Sequence, residues 1–286
     1  MAEIVNNEKY HKHISSDHKW FDLKLKEVMQ YKDLIWLFTK RAFIVSYKQT
    51  VLGPAWLFIN PIITSFIYAF VFGGIAGMST DGVPKILFYL SSNAIWTFFA
   101  GCVTKNASTF TANAGIFGKV YFPRLTIPIS NTLVTIIQFA IQFILVMICL
   151  VYYALIGEVS PNWWAFILIP LILIHLGIMG MGVGIIISSF TTKYRDLSIL
   201  VGFGIQLWMY ATPIVYPLSQ LGEDKLRYVL MANPVTMPVE IFRYAVLGQG
   251  TIDYVYLCTS LVFTLIVAVF GVMVFNKVER TFMDTV

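Results

Sequence analysis

The chain has 286 residues, 58% of them hydrophobic and only 12% charged, with 20 Lys and Arg against 15 Asp and Glu. Soluble domains carry about 25% charged residues, so a mean hydropathy of +0.74 excludes an ordinary soluble fold. The formal charge of +5 is spread as a topology signal and gives no support to nucleic-acid binding.

Six stretches contain no Asp, Glu, Lys or Arg: 49–80, 86–104, 125–157, 159–192, 197–222 and 254–276. A helix crosses a hydrocarbon core of ~30 Å with roughly 20 apolar residues, and a charge at its centre costs ~2.5–3.5 kcal/mol. The runs are continuous, whereas a β-barrel shows alternating segments of ~10 residues. The expected fold is therefore an all-α integral membrane protein with six transmembrane helices. Nine of the basic residues precede Val51, and 16 of the 20 fall in segments that share one side if the chain starts in the cytoplasm. The positive-inside rule then puts both termini in the cytoplasm. The first 50 residues are too polar for a secretory signal, so the first span itself is expected to direct insertion. Three parts follow: a tail with a surface helix over 1–52, a six-helix domain over 53–277, and a second tail over 278–286.

In chain order, residues 1–20 are polar and hold His11, His13 and His18, a weak metal signal on a tail, and no metal site is assigned. Over 25–47, Leu25, Val28, Met29, Leu34, Ile35, Leu37 and Phe38 alternate with Lys26, Glu27, Lys32, Asp33, Lys40 and Arg41 at roughly helical spacing. That pattern fits an amphipathic helix on the inner membrane surface; a helix packed on the bundle gives the same pattern. Span one, about 53–76, begins at Gly53-Pro54 and carries Trp56, Ile59, Ile63, Phe66 and Phe70 on one face. Spans two and three, about 86–109 and 125–156, flank a cytoplasmic stretch with Gly115, Gly118 and Lys119. Span four, about 163–190, has Gly177, Gly180, Gly182 and Gly184, which let neighbouring helices approach closely. Span five, about 197–217, leads into two apolar segments, 226–231 and 235–247, too short to cross. They read as re-entrant or interfacial helices on the outer side, broken at Asn233-Pro234 and ended at Gly248. Span six covers about 254–275.

The chemistry is sparse. No nucleotide motif survives inspection: the run ending in Gly118-Lys119 has Asn113 where a phosphate loop needs Gly, and Val120 where it needs Ser or Thr. Cys102, Cys149 and Cys258 lack paired or metal-ligand spacing and read as small buried hydrophobes. Lys105 is near a helix end and able to snorkel, and His175 is the one ionisable residue deep in a span, more often structural than a proton relay. A nucleophile–base pair is not evident. Aromatic residues are abundant, at 16%. Interfacial belts account for many, and a channel for sugar rings accounts equally for Trp96, Phe98, Phe99, Phe203, Trp208, Tyr210 and Tyr216, since flat rings suit sugar faces.

Several strings resemble one family. Tyr47-Lys48-Gln49-Thr50-Val51-Leu52-Gly53-Pro54-Ala55-Trp56, Lys119-Val120-Tyr121-Phe122-Pro123-Arg124, Tyr194-Arg195-Asp196-Leu197, Thr212-Pro213-Ile214-Val215-Tyr216-Pro217 and Asn233-Pro234 occur in the order seen in permeases of the ABC-2 exporter class. The chain is most similar to exporters of O-antigen and capsular polysaccharide, with teichoic-acid permeases close behind. The resemblance implies a half-transporter in the bacterial inner membrane that pairs with itself and with two copies of a separate ATPase, which binds ATP and Mg²⁺; this chain itself holds no cofactor. Its cargo would be polysaccharide on a polyprenyl pyrophosphate, taken from the membrane beside the N-terminal helix at Lys40, Arg41 and Lys48. The implied channel runs past Trp56, Phe66, Phe70, Trp96, Phe99, Phe203, Trp208, Tyr210 and Tyr216. The implied ATPase contacts are Gly115, Phe117, Lys119, Lys193, Arg195 and Asp196, and the outer gate is Pro213, Asn233, Pro234 and Phe242. A small-molecule exporter of the same class and a membrane enzyme of glycan assembly are the alternatives. Neighbouring genes discriminate them: an ATPase with sugar-transfer genes, an ATPase among resistance genes, or no ATPase.

Overall fold

The computed structural model describes residues 25–48, 50–117, 119–120, 122–194, 196–222 and 225–282. Regular structure among them is entirely helical: α1 (Leu25–Gln30), α2 (Lys32–Tyr47), α3 (Trp56–Tyr68), α4 (Lys85–Ala107), α5 (Thr109–Phe117), α6 (Thr126–Ile156), α7 (Leu168–Thr191), α8 (Leu197–Tyr210), α9 (Lys225–Ala232), α10 (Thr236–Leu247) and α11 (Tyr254–Phe282). A π-helical segment, Ala69–Ile75, prolongs α3, and 3₁₀ turns precede α3 and α7.

Five helices are long and apolar enough to cross a bilayer, Gly53–Ile75, Lys85–Ala107, Thr126–Ile156, Trp163–Thr191 and Tyr254–Val278, and the chain is a multi-pass membrane protein. The fifth charge-free window, 197–222, folds differently from expectation. α8 has 14 residues, about 21 Å at 1.5 Å per residue, short of a ~30 Å core. It stops because Pro213 disfavours helical backbone at Thr212, whose Oγ1 turns back to donate to the Trp208 carbonyl at 2.9 Å. The helix expected over 25–47 is likewise divided, with a turn at Tyr31 between α1 and α2.

α4 is the central post. It packs against α7, α6, α3, α10 and α8, and most of its residues are buried, with Thr97 and Thr104 left exposed. Its approach to α7 depends on glycine. A Cβ at Gly180 would stand 2.7 Å from Cys102 Cβ, and one at Gly184 would stand 2.5 Å from Asn106 Cβ and 2.8 Å from the Val103 carbonyl. Gly182 does the same toward α11 at Val267 and Ala268. In lipid there is little hydrophobic force between helices, so this close van der Waals contact is what joins them.

One end of the bundle gathers α1, α2, α5, the start of α6 and the ends of α7 and α11 around Val28, Phe110, Phe117, Phe122, Ile185 and Phe275. The Phe110 and Phe275 rings stack at 4.5 Å. Phe110 N–H donates to Ser188 Oγ at 3.1 Å and Thr191 Oγ1 to the Ala107 carbonyl at 3.1 Å. The turns after α4 and α7 are thereby held side by side.

The other end is organised by α10, buried along nearly its whole length. Its Arg243 and Glu240 form an ion pair at 2.9 Å, each 3% exposed in its side chain. Arg243 also donates to Ser92 Oγ on α4 (3.1 Å), to the Ile214 carbonyl (3.1 Å) and to the Tyr216 carbonyl (3.4 Å), and lies 4.5 Å from the Phe88 ring centre. Glu240 Oε2 accepts from Thr251 N–H at 3.1 Å. Both charges are thus saturated with partners, the condition under which a buried pair is tolerable. Phe242 of α10 packs against Phe139 and Phe143, at 6.1 Å each, which lie near the middle of α6.

Arg243→Ala strands Glu240 and should cost about 3–5 kcal/mol, read as a lower melting temperature of the detergent-solubilised protein; combining Arg243→Met with Glu240→Gln should lose less. Gly184→Ala, which forces α4 and α7 apart, should cost about 1–3 kcal/mol by the same assay. An unchanged melting temperature in either single variant contradicts the corresponding contact.

Candidate functional site

A groove of about 400 Å³ runs between α3, α4 and α6, with Tyr47 of α2 at one end. Its lining is unexpectedly polar for transmembrane helices: Asn60 and Thr64 on α3, Asn93 and Thr97 on α4, Gln138 and Gln142 on α6. Each pair is spaced i, i+4, which places both side chains on one helical face, so three polar stripes converge. Thr135, Trp56 and the rings of Phe98 and Phe139 complete the wall. Asn60 and Thr97 are exposed, whereas Asn93, Thr135 and Gln142 are buried. Gln142 Oε1 has no hydrogen-bond partner in the structure, and burying such an acceptor unpaired costs about 1–3 kcal/mol.

A hydrogen-bonded chain closes the α2 end of this groove. Lys105 Nζ donates to Gln138 Oε1 at 2.7 Å, and Gln138 Nε2 donates to Tyr47 Oη at 2.6 Å. Lys105 therefore turns inward onto an amide, whereas the sequence allowed it to snorkel away. Burial pushes the Tyr47 phenol above its ordinary range, which keeps it a neutral partner at physiological pH.

The aromatic residues singled out from the sequence are dispersed. Trp56 lines the groove. Phe66, Phe70, Phe203 and Tyr210 are exposed on α3, its π-helical extension and α8. Trp96 and Phe99 are interior, with Phe99 edge-on to Trp208 at 5.1 Å, and so present no ring to a lumen within one subunit. The Tyr216 hydroxyl donates to the Tyr210 carbonyl at 2.9 Å.

Lys40, Arg41 and Lys48 are all exposed. They share the outward arc of α2 with Trp36, Leu37, Ile44 and Val45, also exposed, while Ile35 and Thr39 turn toward the bundle and Ser130 Oγ of α6 donates to the Ile35 carbonyl at 3.0 Å. Gly115 is exposed in the last turn of α5, and Lys119, Lys193 and Asp196 are exposed at the turns after α5 and α7, with Lys193 Nζ 5.4 Å from the Tyr194 ring. Phe117 is buried, with the Arg124 guanidinium 5.2 Å above its ring. Arg195 lies outside the described residues.

Of the four outer residues, Pro213 and Phe242 are buried. Asn233 is a junction: Oδ1 accepts from Trp208 Nε1 (3.0 Å) and Val235 N–H (3.1 Å), and Nδ2 donates to the Ala211 carbonyl and Thr212 Oγ1 (2.9 Å each). The Pro234 carbonyl accepts from Ser260 Oγ on α11, and Ser260 lies 3.2 Å from His175 Nε2, which also meets Thr264 Oγ1 at 2.9 Å. His175 thus fastens α7 to α11.

Attention to charge and aromatic content overlooked the groove. Its signal was present as an Asn or Gln followed at i+4 by Thr or Gln inside charge-free windows.

The chain has known relatives. The ABC-2 type transporter family matches residues 33–247. The O-antigen export system permease protein RfbA of Klebsiella pneumoniae is 31% identical over 264 residues, covering 92% of this chain and 98% of that protein. The protein of the same name from Myxococcus xanthus is 24% identical, over 74% of this chain and 79% of its own length. The polysialic acid transport protein KpsM of Escherichia coli is 23% identical, over 82% and 89% respectively. With a multi-pass helical bundle matched over most of its length, this chain belongs to the ABC-2 type transporter family.

Proposed function

We propose that this chain is the membrane-spanning permease subunit of an ATP-binding-cassette exporter that moves lipid-linked polysaccharide, O-antigen in particular, out across the bacterial inner membrane. The observation that carries the reading is the groove: Asn60 and Thr97 are exposed on transmembrane helices. Exposed amides and hydroxyls at such depth are stable only against protein, water or a polar cargo. A hydroxyl-rich chain matches the lining, since amides bond its hydroxyls and the Trp56 ring offers a flat face to a sugar. The relatives named for O-antigen export point the same way, and the one named for polysialic acid transport extends the cargo class to capsular glycan.

In this reading two copies meet about a two-fold axis and enclose the grooves, because one subunit leaves its own groove open on one side. Both termini are cytoplasmic. α8 and the turn that follows it make the fifth of six crossings, in a locally thinner region, and α9 and α10 are re-entrant from the outer side. α2 lies in the inner interface, where Lys40, Arg41 and Lys48 meet the pyrophosphate of the carrier lipid. Hydrolysis of ATP with Mg²⁺ takes place on two copies of a separate ATPase. Its movement reaches the bundle at Gly115, Lys119, Lys193, Arg195 and Asp196, and is felt through Phe117. The outer exit is gated around Pro213, Asn233 and Pro234.

The test is Gln142→Leu in the chromosomal gene. The change removes an unpaired buried acceptor, so the melting temperature of the purified protein should hold or rise, by about 1 kcal/mol of stability. Surface polysaccharide should fall several-fold, with lipid-linked polymer accumulating inside. Normal surface polysaccharide would contradict a groove that carries the glycan.

A further inference from the structure

Lys105 is a cation in a transmembrane helix whose sole side-chain partner among the described residues is a neutral amide. An ammonium has three donors, and Gln138 takes one of them. The ion pair between described side chains elsewhere in the molecule, Arg243 with Glu240, shows what full compensation looks like here: a carboxylate, three further acceptors and an aromatic face. Nothing comparable surrounds Lys105 among the described residues. Lys105, half-buried in the last turn of α4, meets no carboxylate among the described residues, which leaves its charge available to an anionic ligand.

Its position narrows the ligand. Gln138, to which Lys105 is bonded, lines the groove, and through Tyr47 the same chain reaches the last turn of α2. That helix exposes Lys40, Arg41 and, just beyond its end, Lys48. An anion drawn to these outer cations therefore finds a further, less hydrated positive charge where the groove begins. At the membrane surface the anions are phosphate esters, for which a lysine serves as a point-charge partner.

We propose that Lys105, with Gln138 and Tyr47, forms a phosphate-binding station at the α2 end of the groove, inward of the surface cations. The proposal rests on the export reading for its place in transport, though not for its chemistry. When phosphate engages Lys105 it competes with Gln138 Oε1 and loosens the chain that holds Tyr47, so arrival of the anion is transmitted to α2.

The experiment measures binding of farnesyl diphosphate, and separately of phosphatidylglycerol, to the purified full-length protein by native mass spectrometry. Wild type should retain a phosphate ligand, and Lys105→Met should weaken it about tenfold or more, the loss expected for one charge-assisted bond, while Lys105→Arg retains it. Gln138→Glu supplies an internal counter-charge; it should raise the melting temperature and abolish phosphate binding, which keeps the test valid if Lys105→Met folds poorly. Preference for the diphosphate identifies the carrier lipid as the source of the phosphate, and equal binding of phosphatidylglycerol identifies bulk headgroups. Binding unchanged in Lys105→Met and Gln138→Glu overturns the station while leaving the gene's export phenotype untouched. Normal surface polysaccharide after gene deletion would instead remove the export reading, with phosphate binding at Lys105 still measurable.

Discussion

Lipid offers no hydrogen bonds, so every polar group carried into the bilayer must find its partner in the protein, in water or in a ligand. The bundle meets that constraint in two contrasting ways. Around Arg243 and Glu240 each donor and acceptor is answered from within, and the result is a rigid joint between α4, α10 and the segment after α8. Along the groove the answers are incomplete: among the described residues Gln142 Oε1 is unpaired and the Lys105 ammonium meets only an amide. A saturated network specifies structure; an unsaturated one, placed on an open face, is ready for something that passes.

The close glycine contacts serve the same division. Gly180 and Gly184 bring α7 against one side of α4 so tightly that side chains on that side have no freedom. The opposite side of α4, with Asn93 and Thr97, is left to face α3 and α6 across the groove. α3 contacts the rest of its own subunit along a single stripe, Leu57, Pro61 and Ser65, and has little buried surface holding it in place. A wall with few internal contacts is the one best able to move when neighbouring helices shift.

Much of this was legible in the sequence because charge is expensive in lipid. Five of the charge-free windows became spans, and the breaks at Asn233-Pro234 and Gly248 fell where α9 and α10 end. The length of α8 was misjudged because hydropathy continues past Tyr210 while the backbone, disrupted at Pro213, does not. The role of Arg243 was not legible, since the sequence does not reveal that Ser92, some 150 residues earlier, is its partner across the bundle. The groove was missed for a related reason: Asn and Gln carry no charge, leave hydropathy high, and disclose their role only when three helices bring their stripes together.

The reading depends on the groove being wet, or filled by polar cargo, inside the membrane. Single cysteines at Asn60 and Thr97, in a background lacking Cys102, Cys149 and Cys258, should react in membrane vesicles with a charged, membrane-impermeant thiol reagent. A cysteine at Ile148, exposed on α6 among apolar neighbours, should stay unlabelled. Reactivity at Asn60 and Thr97 well above that at Ile148, and suppressed when lipid-linked polymer accumulates, is the expected result. Equal inertness at all three positions would mean that these polar side chains face lipid or packed protein, and the groove would carry nothing.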